Sequence, residues 1–297
     1  MEVDSGNQES IAAPVSAIVT AYRRIDLTLL TISKLRACRP VPAEILVHVD
    51  ANETQCETAI RQAFPDVLIL RSESCVGPGG GRNKLLAAAK NEFVASFDDD
   101  SYPIDADYFG RALALFEKFR AATILCAAVY HQGEVVAPDV QSAEWVSDFS
   151  GGACIYRRSG FIATGGYVPL PIAYGMEEVD LALRLHAQGG RILKTCWLRV
   201  FHDTDLKHHA NPEVTAASIA NLVLLTYLRY PPSLWFVGLG QCCKRIFWLL
   251  RNGRRRGILS GLRMTPAHLR AHRRYRQPIG PEAVRSYLAL RRAPRSA

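Results

Sequence analysis

The chain has 297 residues, 48% hydrophobic and 22% charged, enough to bury a full core as one main domain with an extension. Eight cysteines, at positions 38, 56, 75, 126, 154, 196, 242 and 243, form no C-x-x-C pair, which excludes a disulfide framework or zinc ribbon and predicts reduced thiols. The formal net charge of +8 is local: Val214 to Pro281 holds twelve Lys or Arg and no Asp or Glu, leaving 24 basic against 28 acidic residues elsewhere.

The polar, acidic segment 1–14 lacks the basic start and apolar run of a signal peptide and reads as a disordered lead. Val15 to Thr20 is an apolar run that predicts a buried strand. A helix follows over Asp26 to Arg36, then a strand over Glu44 to Val49, a helix near Glu53 to Ala63 and a strand over Val67 to Leu70. A glycine cluster precedes a helix over Arg82 to Lys90, and the strand Phe93 to Phe97 runs into three aspartates. Strands alternating with helices predict βαβ units and a mostly parallel sheet, whose ligands bind at the carboxyl ends of its strands. Thr20, Tyr22, Asp50 and Asp98 to Asp100 fall at such ends.

The second half is less regular. Ile124 to Tyr130, Ala153 to Tyr156 and Trp197 to Phe201 read as strands, and Met176 to Gln188 as a helix stopped by Gly189-Gly190. No stretch of about 20 apolar residues predicts a membrane-spanning helix. The nearest, Ala216 to Leu228, is cut off by Arg229, Pro231 and Pro232.

Four groups of residues carry chemistry. Adjacent Asp98, Asp99 and Asp100 repel one another, a cost that a bound cation offsets. Alternation along an extended chain puts Asp98 and Asp100 on one side, where they can hold Mg2+ or Mn2+; a solvated acidic turn is the plain alternative. Gly77 to Lys84 reads as a flexible loop whose N–H groups and Arg82 suit a phosphate, although it is neither a Walker A loop nor a G-x-G-x-x-G fingerprint. Glu177, Glu178 and Asp180 open a helix. Asp180 is expected to pair with Arg184, and either glutamate offers a carboxylate to deprotonate a hydroxyl or simply favours the helix N-terminus. His202 ends a strand as a structural residue or a third metal ligand, and His208-His209 read as surface.

In order, these pieces resemble the inverting glycosyltransferases of family 2, with the GT-A fold. The resemblance runs from about Val15 to His202. It rests on Val15 to Tyr22, the strand ending at Asp50, Gly79 to Asn83, Phe97 to Ser101, Gly151-Gly152 with Arg157-Arg158, Gly165 to Tyr167, Glu177 to Leu181 and Phe201-His202. It implies an α/β chain: a GT-A-type nucleotide-binding sheet flanked by helices over 15–212, and a basic, largely helical C-terminal extension over 213–297. It further implies that Thr20, Tyr22 and Asp50 hold the nucleoside and that Arg82 and Asn83 lie beside the donor. Asp98 and Asp100 would hold a divalent metal on the diphosphate with His202 nearby. Glu178 would act as base where the family usually has Asp, with Glu177 as its rival. The implied reaction moves a sugar from a nucleotide-diphosphate donor to an acceptor hydroxyl with inversion, in cell-surface polysaccharide or glycolipid synthesis. The alternatives are a nucleotidyltransferase on a related fold and a non-catalytic membrane-docked protein.

In the extension, Trp235, Phe236, Ile246 to Leu250 and neighbouring cations predict a helix in an anionic membrane interface. That favours a cytoplasmic protein peripheral to the plasma membrane and a glycan or lipid-linked acceptor. Helices packed on the main domain are the plain alternative, and nucleic acid is not an expected partner.

Overall fold

The computed structural model describes residues 12–174, 176–204 and 211–297. The expected lead lies largely outside them, and so do His208 and His209. The first strand, β1 (Ala13–Ala21), begins two residues earlier than the apolar run predicts. It is followed by α1 (Ile25–Ala37), β2 (Pro42–Val49), α2 (Thr54–Ala63), β3 (Leu68–Arg71), α3 (Gly77–Ala88) and β4 (Phe93–Asp98). Next come β5 (Ser101–Pro103), α4 (Tyr108–Lys118), β6 (Ala122–His131), β7 (Glu144–Val146), β8 (Ala153–Arg157), α5 (Arg158–Ala163), α6 (Glu177–Ala187) and β9 (Arg191–His202). The chain ends in α7 (Pro212–Arg229), α8 (Trp235–Arg251), α9 (Ile258–His272), α10 (Pro281–Arg292) and β10 (Arg295–Ser296).

One sheet runs β10-β7-β9-β6-β8-β4-β1-β2-β3, with β5 added beside β9. The expected parallel order holds for β4, β1, β2 and β3. Beyond β4 the sheet is mixed, because β8 enters antiparallel between β4 and β6. Central strands covered on both faces must be apolar on both, and β1 is. Alternation sends Val15, Ala17 and Val19 to the layer of α1 and α4, packed with Ile32, Leu35, Tyr108 and Phe109. Ile18 goes to the other layer, with Leu85 and Leu86 of α3, Leu181 and Leu185 of α6, and Val284 and Tyr287 of α10.

The C-terminal helices are built onto this second layer. Leu224, Leu225 and Leu228 of α7 pack on Val168, Leu170 and Met176, in and beside the loop that precedes α6. Ile219 of α7 meets Cys242 and Leu249 of α8, with Ile258 of α9 against them. No helix among the described residues is long and apolar enough to cross a membrane.

Candidate active site

The carboxyl ends of β1, β2 and β4 open on a cleft of about 930 Å3, closed from the other side by the 171–174 loop, the start of α6 and the start of α7. The backbone is strained around it. Among the described residues, the only non-glycines with positive φ are Arg23, Ala51 and Asn52, just after β1 and β2, at 62°, 53° and 60°.

Asp98 ends β4, and Asp99 and Asp100 form the turn into β5. The two outer aspartates therefore do not share a face through strand alternation, because the chain turns after Asp98. Pairing between β5 and β9 sets Ser101 opposite His202, which brings His202 Nε2 to 3.1 Å from Asp100 Oδ1. One ligand atom from each of Asp98, Asp100 and His202 lies within 4.8 Å of the others. Asp100 Oδ1 is buried and accepts no aligned hydrogen bond, so one donor remains for a cation. Two carboxylates and an imidazole form a set that suits Mg2+ or Mn2+. The residues present fit such an ion.

Asp99 has a different part. It accepts from Tyr22 N at 3.0 Å and pairs with Arg24, and its carbonyl accepts from Thr31 Oγ1 at 2.9 Å. Burial pushes its carboxyl up to about 7 despite Arg24. Burial also pushes Asp100 upward, but His202 and Arg24 together outweigh it and hold that carboxyl below its ordinary range. Burial lowers His202, yet the Asp100 carboxylate leaves it raised. Arg24, which bridges Asp99 and Asp100, was not legible in the sequence.

The glycine run is not a loop. α3 begins at Gly77, so Gly79 to Gly81 are helical and buried. A Cβ on Gly79 would lie 2.5 Å from Glu177 Oε2, so close packing explains the absent side chain. Its N–H groups are taken by carboxylates instead of being kept for phosphate. Gly79 N donates to Glu177 at 3.0 Å, and Val76 N and Gly77 N donate to Asp50 at 3.0 and 2.9 Å. Arg82, 2% exposed, is likewise engaged: it binds Asp98, Glu177 at 3.2 Å and Ser96 at 3.1 Å. Asn83 is turned away from the cleft, exchanging hydrogen bonds of 2.8 and 2.9 Å with the Tyr167 backbone.

The two glutamates of α6 differ. Glu177 is 2% exposed, and each of its oxygens accepts a bond, one from Arg82 and one from Gly79 N. Glu178 accepts from Gly151 N at a long 3.4 Å and lines the cleft. Burial raises both carboxyls, Glu177 to about 8 with the charge of Glu178 adding to it, while Arg82 draws both down. Gly151 and Gly152 make room beside them. A Cβ on Gly152 would stand 2.1 Å from Asp98 Oδ2, and one on Gly151 3.1 Å from Glu178 Oε1.

The expected Asp180–Arg184 pair is present, at 2.6 Å. Arg229 of α7 also binds Asp180, a contact with no local sequence signal. Thr20 lines the cleft and donates to Asp98 at 3.2 Å. Tyr22 is 40% exposed at the rim, with the Arg23 guanidinium 4.7 Å from its ring centroid.

The chain belongs to glycosyl transferase family 2, whose family model matches residues 16–167. The architecture is that of the GT-A fold, and three solved structures share it. GalNAc-T7 with UDP, GalNAc and Mn2+ has a TM-score of 0.60 and 15% identity over 75% of this chain and 49% of its own. This chain thus spans about half that protein's length. TarS 1-349 of S. aureus with UDP-GlcNAc has a TM-score of 0.57 and 17% identity over 78% of this chain and 72% of its own. The mannosyltransferase PcManGT of Pyrobaculum calidifontis, with GDP-Man and Mn2+, has a TM-score of 0.57 and 14% identity over 95% of this chain and 86% of its own. No curated protein sequence matches.

Proposed function

We propose that the protein transfers a sugar from a nucleotide-diphosphate donor to an acceptor hydroxyl, with inversion at the anomeric carbon. The observation that carries this reading is the convergence of Asp98, Asp100 and His202 in a cleft that also holds Tyr22 and Glu178. Asp98, Asp100 and His202 hold a divalent cation, Mg2+ or Mn2+. When bound, that ion supplies positive charge against the donor's phosphates. Thr20, Tyr22 and Asp50 border the nucleoside, and the exposed Tyr22 ring offers a face for the base. Asp50 also fixes the start of α3.

Glu178 takes the proton from the acceptor hydroxyl as it attacks. Glu177 fits that part poorly, because both its oxygens are engaged and almost no surface is open. It positions Arg82, which in turn holds Asp98. The longer Glu178 side chain, where the family usually has Asp, has its room from Gly151, whose missing Cβ would crowd Glu178 Oε1. Inversion in one displacement needs no covalent sugar–enzyme intermediate and no second carboxylate across the cleft. Hexose donors are the natural first candidates, in polysaccharide or glycolipid synthesis, with a glycan or lipid-linked acceptor. The catalytic unit in this reading is 15–212, with 213–297 as its extension.

A screen of UDP-, GDP- and dTDP-sugars with Mg2+ or Mn2+, read as thermal shift and as released product, tests the reading. Release of nucleoside diphosphate supports it. Release of pyrophosphate identifies a nucleotidyltransferase, and no stabilisation by any donor overturns it.

A further inference from the structure

The acid-free segment forms α8 and α9, and both leave apolar side chains in water. On α8, Phe236, Leu239, Cys243, Phe247 and Leu250 recur at three- and four-residue spacing and are all exposed. Phe236 is 70% exposed and Phe247 66%. Gly238, Cys242 and Leu249 occupy a different face of the same helix and are buried against α7 and its neighbours. A helix that has already buried one stripe does not need the second for its own fold. Leu259, Leu262 and Met264 are exposed on the amino-terminal part of α9.

Lys244, Arg251, Arg255, Arg256 and Arg263 are exposed around these residues, and Val214 to Pro281 offers them no carboxylate. Trp248 lies among cations too, with Arg245 and Arg254 at 4.8 and 5.9 Å from its ring. Apolar stripe, aromatic residues and exposed cations together fit one surface: lipid tails below, anionic headgroups above. A second copy fits worse. A twofold contact sets a patch against itself, and here it would oppose like charges. Nucleic acid would meet the cations but leave the Phe and Leu stripe unburied.

The location matters as much as the chemistry. Glu213 and Val214, at the start of α7, line the cleft. α9 begins against the same turn of α7: a Cβ on Gly257 would lie 2.2 Å from Pro212 O, and one on Gly261 2.7 Å from Ala216 O. Exposed Leu259 and Leu262 therefore lie on the helix packed against the turn of α7 that borders the cleft. Further along α7, Asn221 donates to Ile172 O and Tyr174 O of the cleft loop at 2.9 and 3.0 Å, and His268 of α9 meets Asn221 at 2.9 Å.

We propose that the exposed face of α8 and the start of α9 docks on an anionic lipid bilayer and holds the cleft mouth at that surface, where a lipid-linked acceptor is drawn. The acceptor clause rests on the glycosyl-transfer reading; the docking surface does not.

The test uses the full chain and phosphatidylcholine vesicles with and without phosphatidylglycerol, read by co-sedimentation. The expected result is binding to the anionic vesicles only, weakened by raised salt. A Phe247→Glu, Leu250→Glu variant changes only exposed positions and is expected to melt as the wild type does. It should bind those vesicles at least ~10-fold more weakly, while donor-induced thermal shift stays unchanged. Protein left wholly in the supernatant overturns the proposal, and so does equal binding to neutral vesicles. It is also overturned if the pair of substitutions abolishes a dimer seen by ultracentrifugation, or if a DNA duplex binds more tightly than the anionic vesicles. Vesicle binding without any donor response leaves the docking surface standing and removes only the glycosyl-transfer reading.

Discussion

Acidic residues in the cleft and basic residues in the C-terminal helices are treated in opposite ways. Asp98, Asp99, Asp100 and Glu177 each meet a guanidinium, from Arg24 or Arg82. Arg24 reaches its partners across 75 and 76 residues of sequence. Between Val214 and Pro281, twelve cations share a segment with no acid of its own; Arg229 is buried on Asp180, while Lys244, Arg251, Arg255, Arg256 and Arg263 are exposed. Charge that is matched and buried fixes geometry, at a cost in desolvation that only good pairing offsets. Charge left exposed at the surface is free to select a partner. The lesson is that local net charge marks the outer surface, while the reacting site keeps its excess of carboxylates in place with two arginines, Arg24 and Arg82.

The contrast breaks first at Glu178. Glu178→Gln keeps the shape and removes the base, so kcat should fall about 10²–10⁴-fold with donor affinity unchanged. Steady-state kinetics and donor titration separate the two. If Glu177→Gln gives that pattern and Glu178→Gln does not, the assignments must be exchanged. A smaller loss, roughly 10-fold or more, is expected from Gly152→Ala, because its Cβ would meet Asp98 Oδ2 at 2.1 Å and displace it. Circular dichroism should show an intact fold.

Pairing can also be broken away from the chemistry. Arg229→Met strips Asp180 of one of its two buried cations, leaving Arg184. Denaturant unfolding should show a loss of about 1.5–3 kcal/mol, the cost of charge-assisted hydrogen bonds with the carboxylate still paired. The smallest effect is on pH dependence. Burial lowers His48 and His268 from 6.5 to about 4 in the folded chain. Each makes the unfolded chain bind more protons between those values, against the opposite pull of Asp99 and Glu177, raised to about 7 and about 8 in the folded chain, so the stability gap between wild type and His268→Gln should shift against the wild type as pH drops from about 6.5 to about 4. Melting curves across that range check the sign.

Much of this is legible in the amino-acid sequence. Burial on both faces makes β1, β2 and β4 nearly continuous apolar runs, and their ends named Thr20, Asp50 and Asp98. The glycine run misled because glycine usually signals a turn, whereas here it admits Glu177 against a helix. Asp98 and Asp100 were grouped by the wrong geometry, a strand where the chain turns, and their meeting with His202 depends on β5–β9 pairing across about a hundred residues. Arg24, and the second cation on Asp180, depend on contacts between distant elements. Spacing along one helix also could not separate Glu177 from Glu178. That distinction came from which carboxylate the Gly79 N–H and Arg82 already occupy.

The most direct measurement is calorimetric titration of a nucleoside diphosphate into wild type and Asp100→Ala, each with and without Mn2+. The account predicts that Mn2+ tightens binding to wild type by at least ~10-fold and has no effect on Asp100→Ala, whose retained fold is checked by circular dichroism. Equal cation dependence in both proteins, or none in wild type, would contradict it.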